Sequence, residues 1–380
     1  MSFVQNLKIA VTVASGLEKT AKKELERLGF ENLSAINGKI EFNGDFKDVC
    51  RLNVCLRTVE RVYVKLAEFD AFSYDELFEN VSKIPFEQFI DKRGEVIVNG
   101  KCVKSKLYGV SACQSIIKKA VCSRLQNKYK VNWLSEDGAR YEIVFSIFKD
   151  KAEILLNTSG DGLHKRGYRD KVWIAPIKET LASGLILMRD FYHARPLLDP
   201  FCGSGTIAIE GAMIALDIAP NKNRKFAFES WNCFDKNIKN AVLEECVSKE
   251  KLDRKIEIFG SDIDKKAIEL SKYHLERAGL KGRVNFSVKN VCNLTLPSEI
   301  GTIVTNPPYG ERVYDKQEAE DCIKGFSNAV KLKEGWSKFI ITSAKNFEKI
   351  YGRKADRERK LYNSEKECRF YYYYSKKETK

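Results

Sequence analysis

The sequence predicts an α/β protein, with an open, mostly parallel sheet in its C-terminal half and two smaller α/β units before it. Three observations carry this. Pro196-Leu197-Leu198 is a short apolar strand that runs into the glycine turn Asp199-Pro200-Phe201-Cys202-Gly203-Ser204-Gly205-Thr206 and a helix over 207–216. Residues 255–259 form a second strand, followed by Gly260-Ser261-Asp262-Ile263-Asp264 and a helix over 265–278. Thr302-Ile303-Val304-Thr305 reads as a buried strand ending in Asn306-Pro307-Pro308-Tyr309. Strand, turn and helix in this arrangement make an open α/β sheet, whose ligands sit at the C-terminal strand ends.

The elements follow in order. Residues 8–13 alternate as a strand. Ser15 and Glu18 predict a capping box for a helix over 17–28, with Leu17, Ala21, Leu25 and Leu28 inward and Gly29 closing it. A second strand lies at 39–42, and this first unit is expected to end near residue 60. A second unit, 61–160, carries a strand at 95–100 and a helix over 116–128 started by Ser111 or Ser115. Ile116, Ala120, Val121 and Leu125 point inward on that helix. A hairpin of 141–148 and 151–157 turns at Lys149-Asp150. Lys118, Lys119, Arg124 and Lys128 suit a grip on RNA and equally a solvated helix face.

The third unit, 161–380, opens on a glycine-rich basic junction in which Lys165, Arg166 and Arg169 are expected to contact phosphates, a charged linker being the alternative. Ala175-Pro176 starts a helix over 177–188. Further strands are predicted at 283–288 and 338–342. A terminal antiparallel pair at 360–362 and 369–374 takes the tyrosine run into the sheet.

The strand ends suggest chemistry. The exocyclic amine of a nucleobase is a poor nucleophile because its lone pair is delocalised into the ring. The Asn306 side-chain oxygen and the Pro307 carbonyl can each accept one of its N–H bonds and aim the lone pair at a methyl donor. Pro307 and Pro308 stiffen the loop, and Tyr309 would stack on the base. A plain Pro-Pro turn is the bland alternative. The glycine loop lacks the endings of a triphosphate or dinucleotide loop. Asp262 suits a ribose diol, whereas Asp264 reads as a helix cap. Cys202 lies in the glycine loop and reads as a small packing residue.

Composition narrows the class. Over 380 residues, 66 Lys and Arg against 52 Asp and Glu give a formal charge of +14, which favours a polyanionic partner. No apolar run is long enough to span a membrane. Eleven cysteines without a C-x-x-C pair, and only three histidines, argue against a metal site or a disulfide framework. Residues 1–6 show no secretion signal, so a cytoplasmic location is expected.

Glycine loop, acidic strand end and Asn-Pro-Pro-Tyr together resemble the class I S-adenosylmethionine-dependent methyltransferases that modify exocyclic amines. Added to these, His164-Lys165-Arg166-Gly167-Tyr168-Arg169, Ala175-Pro176-Ile177-Lys178-Glu179-Thr180-Leu181, Phe228-Glu229-Ser230-Trp231 and the segment 306–312 resemble, in this order, THUMP-domain RNA methyltransferases of the RlmL-like group. The resemblance implies a ferredoxin-like unit, a THUMP domain and a Rossmann-like methylase with a seven-stranded sheet. It implies methylation of guanine N2 in 23S rRNA, a tRNA guanine-N2 methyltransferase being an alternative. By that resemblance Asp199, Phe201, Gly203, Gly205 and Thr206 hold the methionine part of S-adenosylmethionine, Asp262 the ribose and Ile263 the adenine, with Glu179 and Thr180 bordering the methionine end. Asn290 stands where an Asp commonly accepts from the adenine amine; its oxygen can still do so. An adenine-N6 DNA methylase and a noncatalytic RNA-binding factor are the competing readings.

Overall fold

The computed structural model describes residues 6–36, 38–171, 177–188, 194–308 and 316–375. Its N-terminal half contains β1 (Leu7–Val13), α1 (Glu18–Arg27), β2 (Ser34–Ile36), β3 (Lys39–Gly44), α2 (Phe46–Cys55), β4 (Val59–Asp70), α3 (Tyr74–Ser82), β5 (Glu95–Val103), α4 (Val110–Tyr129), β6 (Arg140–Phe148) and β7 (Lys151–Asn157). They build one seven-stranded sheet in the order β2-β3-β1-β4-β7-β6-β5. The twelve-residue β4 is its spine: the first half pairs with β1 and the rest with β7. It runs through the position where the first unit was expected to end, so the two N-terminal units share a sheet.

Local chemistry differs from expectation at two helix starts. Ser15 does not cap α1; Leu17 is its N-cap, and the Glu18 carboxylate accepts from Gly16 N at 2.8 Å. Gly16, at φ +92°, turns the chain into the helix, so no Ser cap can form there. Likewise α4 starts at Gly109, ahead of both serines, and Ser115 Oγ donates back to the Ser111 carbonyl. Its buried face therefore uses Ile117 rather than Ile116. The hairpin turn is as expected: Lys149 and Asp150 both have positive φ, which matches a two-residue turn to the strand twist.

The C-terminal half contains α5 (Glu179–Leu187), β8 (Leu197–Asp199), α6 (Thr206–Ala215), α7 (Lys236–Ser248), β9 (Ile258–Asp262), α8 (Lys265–Arg277), β10 (Asn285–Val288), β11 (Gly301–Thr305), α9 (Lys316–Val330), β12 (Trp336–Thr342), α10 (Phe347–Tyr351), β13 (Arg357–Asn363) and β14 (Lys366–Tyr373). A second seven-stranded sheet has the order β10-β9-β8-β11-β12-β14-β13, parallel except for β14 and β13. This is the Rossmann-like sheet the resemblance implies. Tyr371, Tyr372 and Tyr373 are buried in it. Among the described residues no helix is long and apolar enough to cross a membrane.

The halves are joined by polar contacts that run from the interior to the surface. Asn221 donates to the carbonyls of Asn53 and Leu56, and Arg224 donates to those of Asp161, Gly162 and Lys165. Trp231 stacks on Tyr141 and donates to the Arg140 carbonyl on β6. The junction is thus anchored along its length, not a flexible linker.

Candidate active site

Three parallel strands end side by side, and their last residues meet. Asp199 closes β8, Asp262 closes β9 and Thr305 closes β11. Thr305 Oγ1 donates to Asp199 Oδ1 at 2.6 Å, so the strand carrying Asn306 is tied to the strand carrying the glycine loop. Gly203 N donates to Asp262 Oδ2 at 3.0 Å, which ties that loop to the third strand. Asp264 caps α8 through Lys266 N, as its sequence position suggested, leaving Asp262 on the loop side.

The loop needs its glycines. Gly203 and Gly205 have φ of +49° and +84°. A Cβ on Gly205 would fall 2.8 Å from the Phe286 ring and 2.9 Å from Ser271 Cβ. Bare backbone therefore passes between β10, α8 and the ligand edge.

Burial governs the electrostatics. Asp199 is 2 % exposed, and burial, with the Asp262 charge nearby, pushes its carboxyl up to about 7 against the hydrogen bonds from Thr305 and Phe201 N. Burial also raises Asp262, opposed by the amides of Asp264 and Gly203. Burial and the two acids hold the Cys202 thiol well above its usual range, so it is a packing residue and no nucleophile.

At the start of α5, burial lifts Glu179 to about 7 although Arg169 faces it. Arg169 grips Glu179 with Nε and Nη2, both at 3.2 Å, and Nη1 donates to Thr206 Oγ1 and the Ile177 carbonyl. It thus brings Glu179 and Thr206 together, and its expected phosphate contact is corrected: the guanidinium is spent inside the protein. Arg166 is corrected more sharply. Its side chain is fully buried, paired with Glu210 at 3.5 Å and donating to Leu163 O, Asn221 Oδ1 and Arg57 O. No phosphate reaches it. Lys165 alone of the three is exposed, beside Asp161 at 3.1 Å.

Thr180 also departs from expectation. It is completely buried, and its hydroxyl is taken up by Glu60 on β4. Burial would raise Glu60, but His164, Thr180 and Lys178 outweigh it and hold that carboxyl down to about 2. Asn290 is exposed and its Oδ1 accepts from Cys292 N at 2.9 Å, capping a short turn after β10. Asn306 and Pro308 are half-buried and Pro307 is buried. Tyr309 lies outside the described residues, as do 310–312 and the Ala175-Pro176 helix start.

The set fits an adenosyl cofactor. Asp262 presents a half-buried carboxylate at a strand end, where a ribose diol can bind. Ile263 (53 % exposed) and Val288 (51 %) offer apolar surface, and Val288 lies in register beside Asp262. Val288, Thr305 and the inward role of Arg169 were missed from sequence. Pairing register would have pointed to Val288; nothing local distinguishes the other two.

Comparison with known proteins places the chain among methyltransferases. A family profile described as RMKL-like, methyltransferase domain, matches residues 166–371; an RlmL ferredoxin-like domain matches 8–63 and a THUMP domain 71–157. The Bacillus subtilis (strain 168) protein named "Putative RNA methyltransferase YpsC" is 43% identical over 370 residues, covering 97% of this chain and 96% of that one. The crystal structure of SMU.472, "a putative methyltransferase complexed with SAH", is 33% identical with a TM-score of 0.93, covering 98% and 99% of the two chains. A Listeria monocytogenes str. 4b F2365 structure, named "a predicted N6-adenine-specific DNA methylase", is 39% identical with a TM-score of 0.93, covering 98% and 97%.

Proposed function

Because this chain belongs to the RMKL-like methyltransferase family, with an RlmL ferredoxin-like domain and a THUMP domain, we propose that it methylates an exocyclic amine of an RNA base, guanine N2 in 23S rRNA. S-adenosylmethionine is the methyl donor, and when bound it supplies an electrophilic methyl group on a sulfonium. The protein's own work is positioning. Gly203 and Gly205 let backbone approach the methionine part, with Phe201 and Thr206 beside them; Asp262 takes the ribose and Ile263 the adenine. Asn306 Oδ1 and the Pro307 carbonyl accept the two amine hydrogens, so the nitrogen lone pair turns out of the ring plane. No general base is required before transfer, because the amine loses its proton after it has gained the methyl group. The base must leave its stack to reach this edge.

The observation that carries the reading is the Thr305–Asp199 hydrogen bond, which sets Asn306 beside the glycine loop. The division 1–60, 61–160 and 161–380 gives the middle unit the task of holding RNA, with Lys165 exposed at the junction. Adenine N6 in DNA is the second reading, favoured by the name of the Listeria relative; the THUMP match favours RNA. Mapping modified nucleotides in total RNA and in DNA, with and without the gene, tests both. A 23S rRNA guanosine that loses its N2-methyl group with the gene supports the proposal. A lost N6-methyladenine in DNA, with RNA unchanged, overturns it.

A further inference from the structure

Four aromatic side chains stand in solvent at one end of the N-terminal sheet. Tyr108 is 84 % exposed, Phe72 49 %, Phe148 43 % and Tyr74 38 %. They come from three segments distant in sequence: the chain after β4, the loop between β5 and α4, and the β6–β7 turn. Such a cluster of exposed rings marks an interaction site rather than scattered surface residues.

The segments are fastened to one another. Lys106 N donates to Asp150 Oδ1 at 2.6 Å, and Asp150 N donates to Ser105 Oγ at 3.1 Å. Lys149 N donates to the Val103 carbonyl and Ala71 N to that of Asp150. Tyr74 Oη lies 3.0 Å from where a Cβ on Gly109 would stand, so that glycine lets the ring's end lie close against the loop. The rings are therefore presented on a braced tip, and little ordering remains to be done on binding.

Cations are interleaved with them. Lys106 Nζ sits 5.0 Å from the Phe72 ring centre and Lys149 Nζ 5.5 Å from that of Phe148. Each lysine lies over a ring that stays partly exposed, while its charge can meet a phosphate. Rings for bases, with ammonium groups for the backbone, are the two components of a single-strand grip. Paired nucleotides hide their faces in the stack, so a duplex cannot use the rings.

We propose that this tip binds unpaired nucleotides of the RNA substrate, with Tyr108 and Phe72 stacking on bases and Lys106 and Lys149 contacting phosphates. The inference rests on the RNA reading above. It also replaces the grip first sought at Arg166 and Arg169.

The test uses the full chain, titrated by fluorescence anisotropy with a short unstructured RNA strand and with an RNA duplex, alongside calorimetry with S-adenosylmethionine. Combining Tyr108→Ala and Phe72→Ala is expected to weaken single-strand binding by roughly five- to a hundredfold per lost stack. Duplex and cofactor binding should stay as in the wild type, which also reports that the fold is intact. Tyr108→Trp with Phe72→Trp should restore the strand affinity. Lys106→Ala with Lys149→Ala should flatten the log–log salt dependence by about 1.4, or roughly 0.7 for each lost phosphate contact on a single strand. If the wild type binds the strand and the double alanine variant binds it equally well, the tip proposal is wrong while the RNA reading stands. If the wild type binds cofactor but no RNA of either form, the RNA reading falls and takes the proposal with it.

Discussion

Replacing Arg166 by alanine separates a phosphate contact from a structural brace. The guanidinium donates to Leu163 O at 2.8 Å, to Asn221 Oδ1 at 3.1 Å and to the Arg57 carbonyl, and it faces Glu210 at 3.5 Å with no exposure of either side chain. Removing it leaves Glu210 with Tyr168 and Ser183 as its hydrogen-bond donors among the described residues and takes the Arg donor from the Leu163 and Arg57 carbonyls. Breaking a buried pair from one side costs about 3–5 kcal/mol, mostly the penalty of the charge left behind. Among the described residues the Arg166 Nε has no partner, which places the loss toward the lower end of that range. Urea titration followed by tryptophan fluorescence should show the transition shifted by about 3 kcal/mol. Folded variant protein should bind RNA as the wild type does. An unchanged urea midpoint together with weakened RNA binding would refute this reasoning and return Arg166 to the surface role its sequence context suggested.

Other outcomes follow from the same geometry. Asn306→Ala should lower the methylation rate by about 10²–10³ while calorimetric cofactor binding stays near wild type, since one acceptor at the reacting amine is lost; a wild-type rate would reduce the Asn-Pro-Pro loop to a turn. Asp262→Ala should raise the dissociation constant for S-adenosylmethionine first, because it removes both the proposed ribose partner and the anchor of Gly203 N; equal affinity in the variant would contradict the assignment. Asp199 sets a pH dependence. Its folded value is raised to about 7 from an ordinary value near 4, so between those pH values the unfolded chain has lost a proton that the fold keeps. Stability should then fall as pH rises across that window, by about 1.4 kcal/mol per pH unit, and level off above it. Asp199→Asn should flatten the slope by that amount in urea titrations at pH 5 and pH 7; parallel curves would count against a buried, protonated Asp199.

The sequence was most legible where backbone chemistry is unusual. Two positive-φ glycines, an acid at a strand end and an Asn-Pro-Pro turn each leave a local signature, and all sit on the expected edge of the second sheet. Amphipathic α1 and the Lys149-Asp150 hairpin were readable for the same reason. By contrast α2 was missed because it is covered on more than one side: Phe46, Val49, Cys50, Leu52 and Val54 are all buried, and even Asn53 is internal, bonded to Thr158. The alternation of β4 is broken by a bulge between Lys65 and Ala67 and by Lys65 and Glu68, which pair with each other and with neighbours on the sheet face. Basic residues misled most. Arg166 and Arg169 look like surface cations in a glycine-rich stretch, and only the tertiary fold reveals Glu210 and Glu179 waiting for them.

The continuous β4 would bear on how targets are chosen if the proposed tip holds RNA. Its first turn of side chains includes Glu60, which is hydrogen-bonded to Thr180 on the methylase side, and its last residue is Asp70, next to the aromatic tip. Ten residue steps of strand, bulged between Lys65 and Ala67, separate them, at most roughly 33 Å. With β1 along its first half and β7 along the rest, it is braced from end to end and works as a gauge rod. If RNA is seated at the proposed tip, its base would come to Asn306 only where the RNA's own architecture reaches from one to the other. The enzyme would then choose a nucleotide by its distance from an unpaired segment, and two sites with the same flanking letters but different spacing would be treated differently.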